Sequence, residues 1–162
     1  MTLKRSLLSL LAVIFLLLAA VPAQARWGTG YVDSWVTRNG VTIGRADHGE
    51  PTPSMQVSVS PGSSVALFWV NRNMGGQPSW HRVWFEGCAS GDGFHVRYFA
   101  RDGRDVTWKV THKGYASRIL EKGEQAALRI RITAVAASQR TCTLRGTAMS
   151  GDDAVILALR SS

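Results

Sequence analysis

GFHVRYFARDGRDVTWKV, residues 93–110, is the stretch on which the fold class turns. Side chains on a strand alternate between two faces, so Phe94, Val96 and Tyr98 fall on one side and His95, Arg97 and Phe99 on the other. Asp102-Gly103 is a turn pair, and Val106, Trp108 and Val110 resume the alternation beyond it. The stretch predicts a β-hairpin of two strands and a short loop. Asp102 and Asp105 carry the hard oxygens that a calcium ion takes, but Arg101 and Arg104 sit beside them and the regular acidic ladder of a calcium loop is missing. A solvated turn is expected there, with no metal.

Period two also dominates outside this stretch. Met55, Val57 and Val59 alternate with Gln56, Ser58 and Ser60 before a Pro61-Gly62 turn. Leu128, Ile130 and Ile132 alternate with Arg129 and Arg131, the pattern of a half-buried strand. Residues 65–70, VALFWV, predict a central strand, either buried on both faces or packed under its neighbours. Residues 80–86, 141–148 and 154–160 complete a set of seven to eight short strands between glycine-rich turns. That set predicts an all-β protein, an immunoglobulin-like antiparallel β-sandwich over residues 54–162. Before it, residues 26–53 hold an Asn39-Gly40 hairpin signal and the irregular run ADHGEPTP. This N-terminal hairpin either lies against the sandwich or forms a mobile arm.

Residues 1–25 have the pattern of an export signal. Lys4 and Arg5 precede an apolar run, Leu7–Ala20, and Ala23-Gln24-Ala25 supplies the small residues of a cleavage site. The run is shorter than the roughly 20 residues a membrane span needs. Cleavage after Ala25 and a secreted or periplasmic protein are expected, with no transmembrane segment remaining. Without Lys4 and Arg5, seventeen basic residues face eleven acidic ones, an excess of six. Such a balance favours anionic surfaces, and an anionic wall polymer or an extracellular protein is the expected partner. The basic residues stand singly rather than in blocks, which argues against a dedicated nucleic-acid site.

Cys88 and Cys142 are the only cysteines, and in an oxidising compartment a lone pair predicts one disulfide. In an immunoglobulin-like order Cys88 closes strand C and Cys142 opens strand F. These strands are antiparallel neighbours, so the end of one meets the start of the other.

The run 93–110, the Gly114-Tyr115 pair that follows, the Leu120–Gly123 turn before the alternating strand LEKGEQAALRIRITA, and the late Asp153-Ala154-Val155 together resemble exported bacterial immunoglobulin-like modules related to cell-adhesion (CARDB-type) domains. The resemblance covers residues 54–160. It implies an extracellular adhesion or accessory module, usually without a catalytic residue. These motifs are strand and turn signatures, so what they carry is the fold. A single copy without an attached enzyme domain is the expectation, a departure from the pattern of those modules.

Little in the sequence points to catalysis. His48, His81, His95 and His112 form no HExxH pattern, although His81 and His95 fit a cross-strand pair if their strands are neighbours. There is no nucleophile elbow and no P-loop. Glu86, Asp92, Asp102, Asp105, Asp152 and Asp153 stand at strand ends or loops, where a carboxylate pair of a small secreted hydrolase would have to lie. Tryptophan is the stronger signal. Among Trp27, Trp35, Trp69, Trp80, Trp84 and Trp108, Trp69 belongs to a core strand, whereas Trp80 and Trp84 share a strand face with Arg82. Core packing between the sheets is the first expectation for Trp80 and Trp84; where that face is exposed, Trp80, Arg82 and Trp84 are the candidate ligand-binding residues, for a carbohydrate or cell wall. The expected function is an exported, non-catalytic module with a structural, adhesion or accessory binding role and no cofactor.

Overall fold

The computed structural model describes residues 32–46, 52–88, 92–135, 140–148 and 154–161. The leader, Trp27, His48, Asp152 and Asp153 lie outside the described residues. Ten strands are described: β1 Val32–Arg38, β2 Val41–Ala46, β3 Ser54–Val59, β4 Ser64–Asn73, β5 Arg82–Gly87, β6 Phe94–Phe99, β7 Tyr115–Ala116, β8 Gln125–Ala134, β9 Thr141–Ala148 and β10 Ala154–Ser161. One helix, α1 Thr107–His112, lies between β6 and β7. The strands form two five-stranded sheets, ordered β2-β1-β4-β8-β6 and β3-β10-β9-β5-β7. β3 and β10 run parallel; the other pairs are antiparallel. The all-β sandwich is as expected, with ten strands instead of seven or eight.

Alternation builds the core. Leu67 and Trp69 of β4, Phe94 and Tyr98 of β6, and Leu128, Ile130 and Ile132 of β8 point inward from the first sheet. Val83 and Phe85 of β5, Leu144 of β9, and Val155, Leu157 and Leu159 of β10 meet them from the second. Trp69 and Phe85 touch edge to face, with ring centroids 5.2 Å apart. The buried asparagines of this interior are paired. Asn71 Oδ1 accepts from Ser34 Oγ at 2.9 Å and from Trp69 Nε1 at 2.6 Å. The Asn73 amide donates to the carbonyls of Gln77 and Leu120.

Asn39 and Gly40 both take positive φ, 51° and 79°, the geometry of a type I′ turn joining β1 and β2. β1 then pairs with β4 over Val32–Thr37, so this hairpin is hydrogen-bonded into the first sheet. Gly87 (φ 97°) lets the chain leave β5 against the Thr143 carbonyl, where a Cβ would collide. The chain then reaches Cys88, which is bonded to Cys142 with 5.3 Å between Cα atoms. β5 and β9 are antiparallel neighbours, so the disulfide joins the strand end and strand start that the sequence predicted.

Two expectations fail. The stretch 93–110 turns at Ala100–Arg104 and makes a single bridge, Phe99 to Asp105, but its second arm is helix α1 instead of a strand. Val106 and Val110 satisfy either period, and both are buried; Trp108, which only the strand pattern needs inside, is 56% exposed. The Asp105 carboxylate accepts the Thr107 N–H at 2.9 Å, and the Tyr98 N–H donates to Thr107 Oγ1, which starts the helix. β4 is central as expected, between β1 and β8, but of its two readings burial on both faces fails: Ala66 is exposed and Phe68 is 38% exposed, because no element among the described residues covers them.

Candidate binding face

The inward side chains of the first sheet fix what its other face presents. With Ile130 and Ile132 fully buried, Arg129 and Arg131 point outward. With Phe94 and Tyr98 buried, His95, Arg97 and Phe99 do the same. β6 and β8 are neighbours, and Arg97 stands directly opposite Arg131. Arg129 is opposite Phe99 on one side and Phe68 of β4 on the other. Its guanidinium carbon lies 4.7 Å from the Phe99 ring centre. The result is a flat patch of three arginines with phenylalanines on both flanks of Arg129, and with His95 exposed beside Arg97.

None of these arginines makes an ion pair among the described residues. The acid on the outward side of β1, Asp33, is held by Arg45 through two hydrogen bonds of 3.2 and 2.7 Å. Asp105 feels the charge of Arg97, but its carboxyl is held below the usual carboxylate range chiefly by the Thr107 hydroxyl and N–H. Like charges placed directly across a strand pair destabilise a sheet. The patch is therefore short of anions.

The sequence-predicted residues are distributed differently. Trp80, Arg82 and Trp84 are brought together on the outward side of the second sheet, and the Arg82 guanidinium lies 5.3 Å from the Trp80 ring centre. All three are half-buried, and Gly114 packs against the Arg82 stem and the Trp84 ring. His81 and His95 do not meet: His95 is exposed on the first sheet, and His81 is fully buried just before β5 of the second. Burial pushes the His81 imidazole below its ordinary pKa, and its Nε2 lies 3.2 Å from Ser79 Oγ. Among the described residues no three His, Cys, Asp or Glu side chains converge to hold a metal ion. Asp102 accepts the Arg104 N–H, which draws its carboxyl below the usual range, so the Asp102 and Asp105 oxygens serve their own turn. Glu86 is exposed at the end of β5.

A second feature lies at the side of the sandwich. A groove of about 790 Å³ runs between Val70, Ala126 and Ala127 of the first sheet and Tyr115, Ser117 and Arg118, with Arg101 and Asp102 at its end. Sequence reading missed both features, since each depends on which distant strands pair.

Fold and surface together define a single-disulfide β-sandwich with one cationic, aromatic-flanked sheet face. No family model and no curated protein matches the chain. Among solved structures it is similar to the N-terminal domain of PorA, with 11% identity, a TM-score of 0.52, and coverage of 80% of this chain and 97% of that one. A likeness at that identity is one of fold. Weaker similarity extends to a lipoprotein from Bacteroides thetaiotaomicron, with 11% identity, a TM-score of 0.43 and coverage of 80% of each chain. The CupB6 tip adhesin from Pseudomonas aeruginosa has 9% identity and a TM-score of 0.42, with coverage of 76% of this chain and 44% of that one.

Proposed function

We propose that this protein is an exported, non-catalytic binding module that engages an anionic polymer at the cell surface through the outward face of β4, β6 and β8. One observation carries it: Arg97 facing Arg131, with Arg129 between Phe68 and Phe99 and none of the three in an ion pair among the described residues. Guanidiniums match carboxylate or phosphate bidentately, and a polymer bearing such groups would relieve the repulsion that the sheet tolerates alone. The flanking rings suit the apolar faces of sugars. The disulfide supports an oxidising compartment outside the cytoplasm, where such polymers are found.

The test is co-sedimentation of the leader-free chain with peptidoglycan carrying its anionic polymers, and with a neutral insoluble polysaccharide, at low and high salt. Saturable binding to the anionic material that weakens with salt, and is lost when Arg97 and Arg131 are both changed to Glu, is expected. Equal binding to both polymers would sink the proposal. A second reading keeps Trp80, Arg82 and Trp84 as the carbohydrate-binding residues, on the strength of the Arg82–Trp80 stack. It predicts salt-resistant binding that disappears in Trp80→Ala.

A further inference from the structure

β6 accompanies β8 only as far as the Phe99–Arg129 pair, then turns away at Ala100–Arg104. Beyond that point β8 continues for Gln125–Leu128 with β4 on one side and no strand of the described residues on the other. The direction of its backbone groups follows from the ladder. The Asn73 N–H donates to Glu124 O, and the Ala134 N–H to Ser63 O, so even-numbered residues of β8 bond β4. The Val135 N–H donates to Gly93 O, so odd-numbered residues bond towards β6. Gln125 and Ala127 are odd, and β6 has left. Their N–H and C=O groups face the side groove, a free strand edge with a floor of small residues, Ala126 and Ala127.

We propose that this groove takes an extended peptide segment of a partner protein, added as a strand beside Gln125–Leu128, with an acidic side chain opposite Ala127. An open edge is a template for strand addition, where main-chain hydrogen bonds give affinity and alternate side chains give specificity. The outward position opposite Ala127 continues the row through Val70, and the lining of the same groove includes Arg101. Arg101 makes no ion pair among the described residues, whereas Arg118 on the facing wall is held by both oxygens of Glu124 at 2.9 and 3.2 Å. Arg101 is thus an unpaired cation in the groove's own lining, its neighbour Asp102 being held by Arg104, and it is the one offered to an incoming carboxylate. The two neighbouring positions of the added strand point inward, beside a hollow of about 20 Å³ whose lining mixes Trp69, Val83 and Leu128 with Asn71, His81 and Ser117, so its size favours small side chains there. The recognised pattern is small, acidic, small. A five-residue strand spans about 16 Å, enough to cover the open edge. This groove adjoins the arginine face, since Ala127 and Val70 lie two residues from Arg129 and Phe68, but the free edge of Gln125–Leu128 is a feature of its own and does not rest on the arginines.

The test uses the 15N-labelled protein, expressed from its full reading frame and purified with the disulfide intact, titrated with the end-blocked pentapeptide TVEVT and with TVKVT as control. Saturable shifts of the Gln125 and Ala127 amides with TVEVT, and none with TVKVT, are expected. Ala127→Pro removes the outward N–H without breaking a bond to β4 and should weaken TVEVT at least fivefold, the worth of about one net hydrogen bond. Arg101→Glu, a surface change that should leave folding intact, should transfer the preference to TVKVT. Shifts confined to Arg97, Arg129 and Arg131 would overturn the proposal and give acidic recognition to the sheet face alone. Shifts of the Gln125 and Ala127 amides on concentrating the protein without peptide would also overturn it, assigning the edge to a second copy of the chain.

Discussion

Replacing Arg97 by glutamate should make the protein more stable while removing its ligand. Arg97 and Arg131 are directly opposed on β6 and β8. By the ladder alternation they exchange both backbone hydrogen bonds, a relation that holds Cα atoms about 5.5 Å apart. With about 6 Å between the charges, Coulomb's law in water gives about 0.7 kcal/mol of repulsion, which 0.15 M salt screens to about 0.3 kcal/mol. Reversing one charge reverses the sign, so folding gains about 0.7 kcal/mol at 0.15 M salt and about 1.1 kcal/mol at 0.01 M. These values fall within the range measured for exposed cross-strand and surface pairs. For a domain of this size they correspond to a rise in Tm of about 2 °C at the higher salt and about 4 °C at the lower. Thermal unfolding followed by circular dichroism at both salts measures this. Arg97→Gln, which removes the repulsion without adding attraction, should give about half the effect. Because Arg97 also lies within range of Asp105, the matching Arg131→Glu is measured beside it, and a fall in Tm for both, or a gain that does not shrink with salt, would refute the claim that these two arginines stand opposed.

Cys88→Ala with Cys142→Ala opens a loop of sequence separation 54. It should cost about 4 kcal/mol in the chain-entropy account, or roughly 14 °C in Tm, and the reduced wild type should unfold at a similar temperature. His81 is buried with its pKa lowered, so the unfolded chain takes up a proton more readily than the folded one. Stability is then full above about pH 6.5 and declines as pH falls below it. Urea midpoints at pH 7.5 and 5.5 should show this decline in the wild type and a smaller one in His81→Gln. Gly146→Ala would place a methyl group 2.6 Å from atoms of both the Trp69 and Phe85 rings. Crowding at that core contact should cost about 1–3 kcal/mol by urea unfolding.

Strands were legible where one face is buried, because burial writes period two into the sequence: β6 and β8 follow the alternation residue by residue. The Asn39-Gly40 turn and the Cys88–Cys142 bond were legible for equally local reasons, turn stereochemistry in one case and a lone cysteine pair in the other. Helix α1 was not, because Val106 and Val110 fit both periods and the deciding contacts come from Asp105 and Tyr98. β7 has only two residues and so no period. The arginine face escaped for a different reason. Along the chain its arginines are isolated, and they become neighbours only when β6 pairs with β8, a long-range choice that no local pattern encodes. The Trp80, Arg82 and Trp84 side was visible in the sequence, but the packing of Gly114 against it was not.

The central claim is that the outward face of β4, β6 and β8 carries binding. Calorimetric titration of one soluble anionic wall polymer into the wild type, the triple variant Arg97→Ala, Arg129→Ala, Arg131→Ala, and the double variant Trp80→Ala, Trp84→Ala tests it most directly. The account predicts that the triple variant stays folded and loses binding, while the tryptophan variant binds as the wild type does. Undiminished binding by a folded triple variant, with loss in the tryptophan variant, would contradict it.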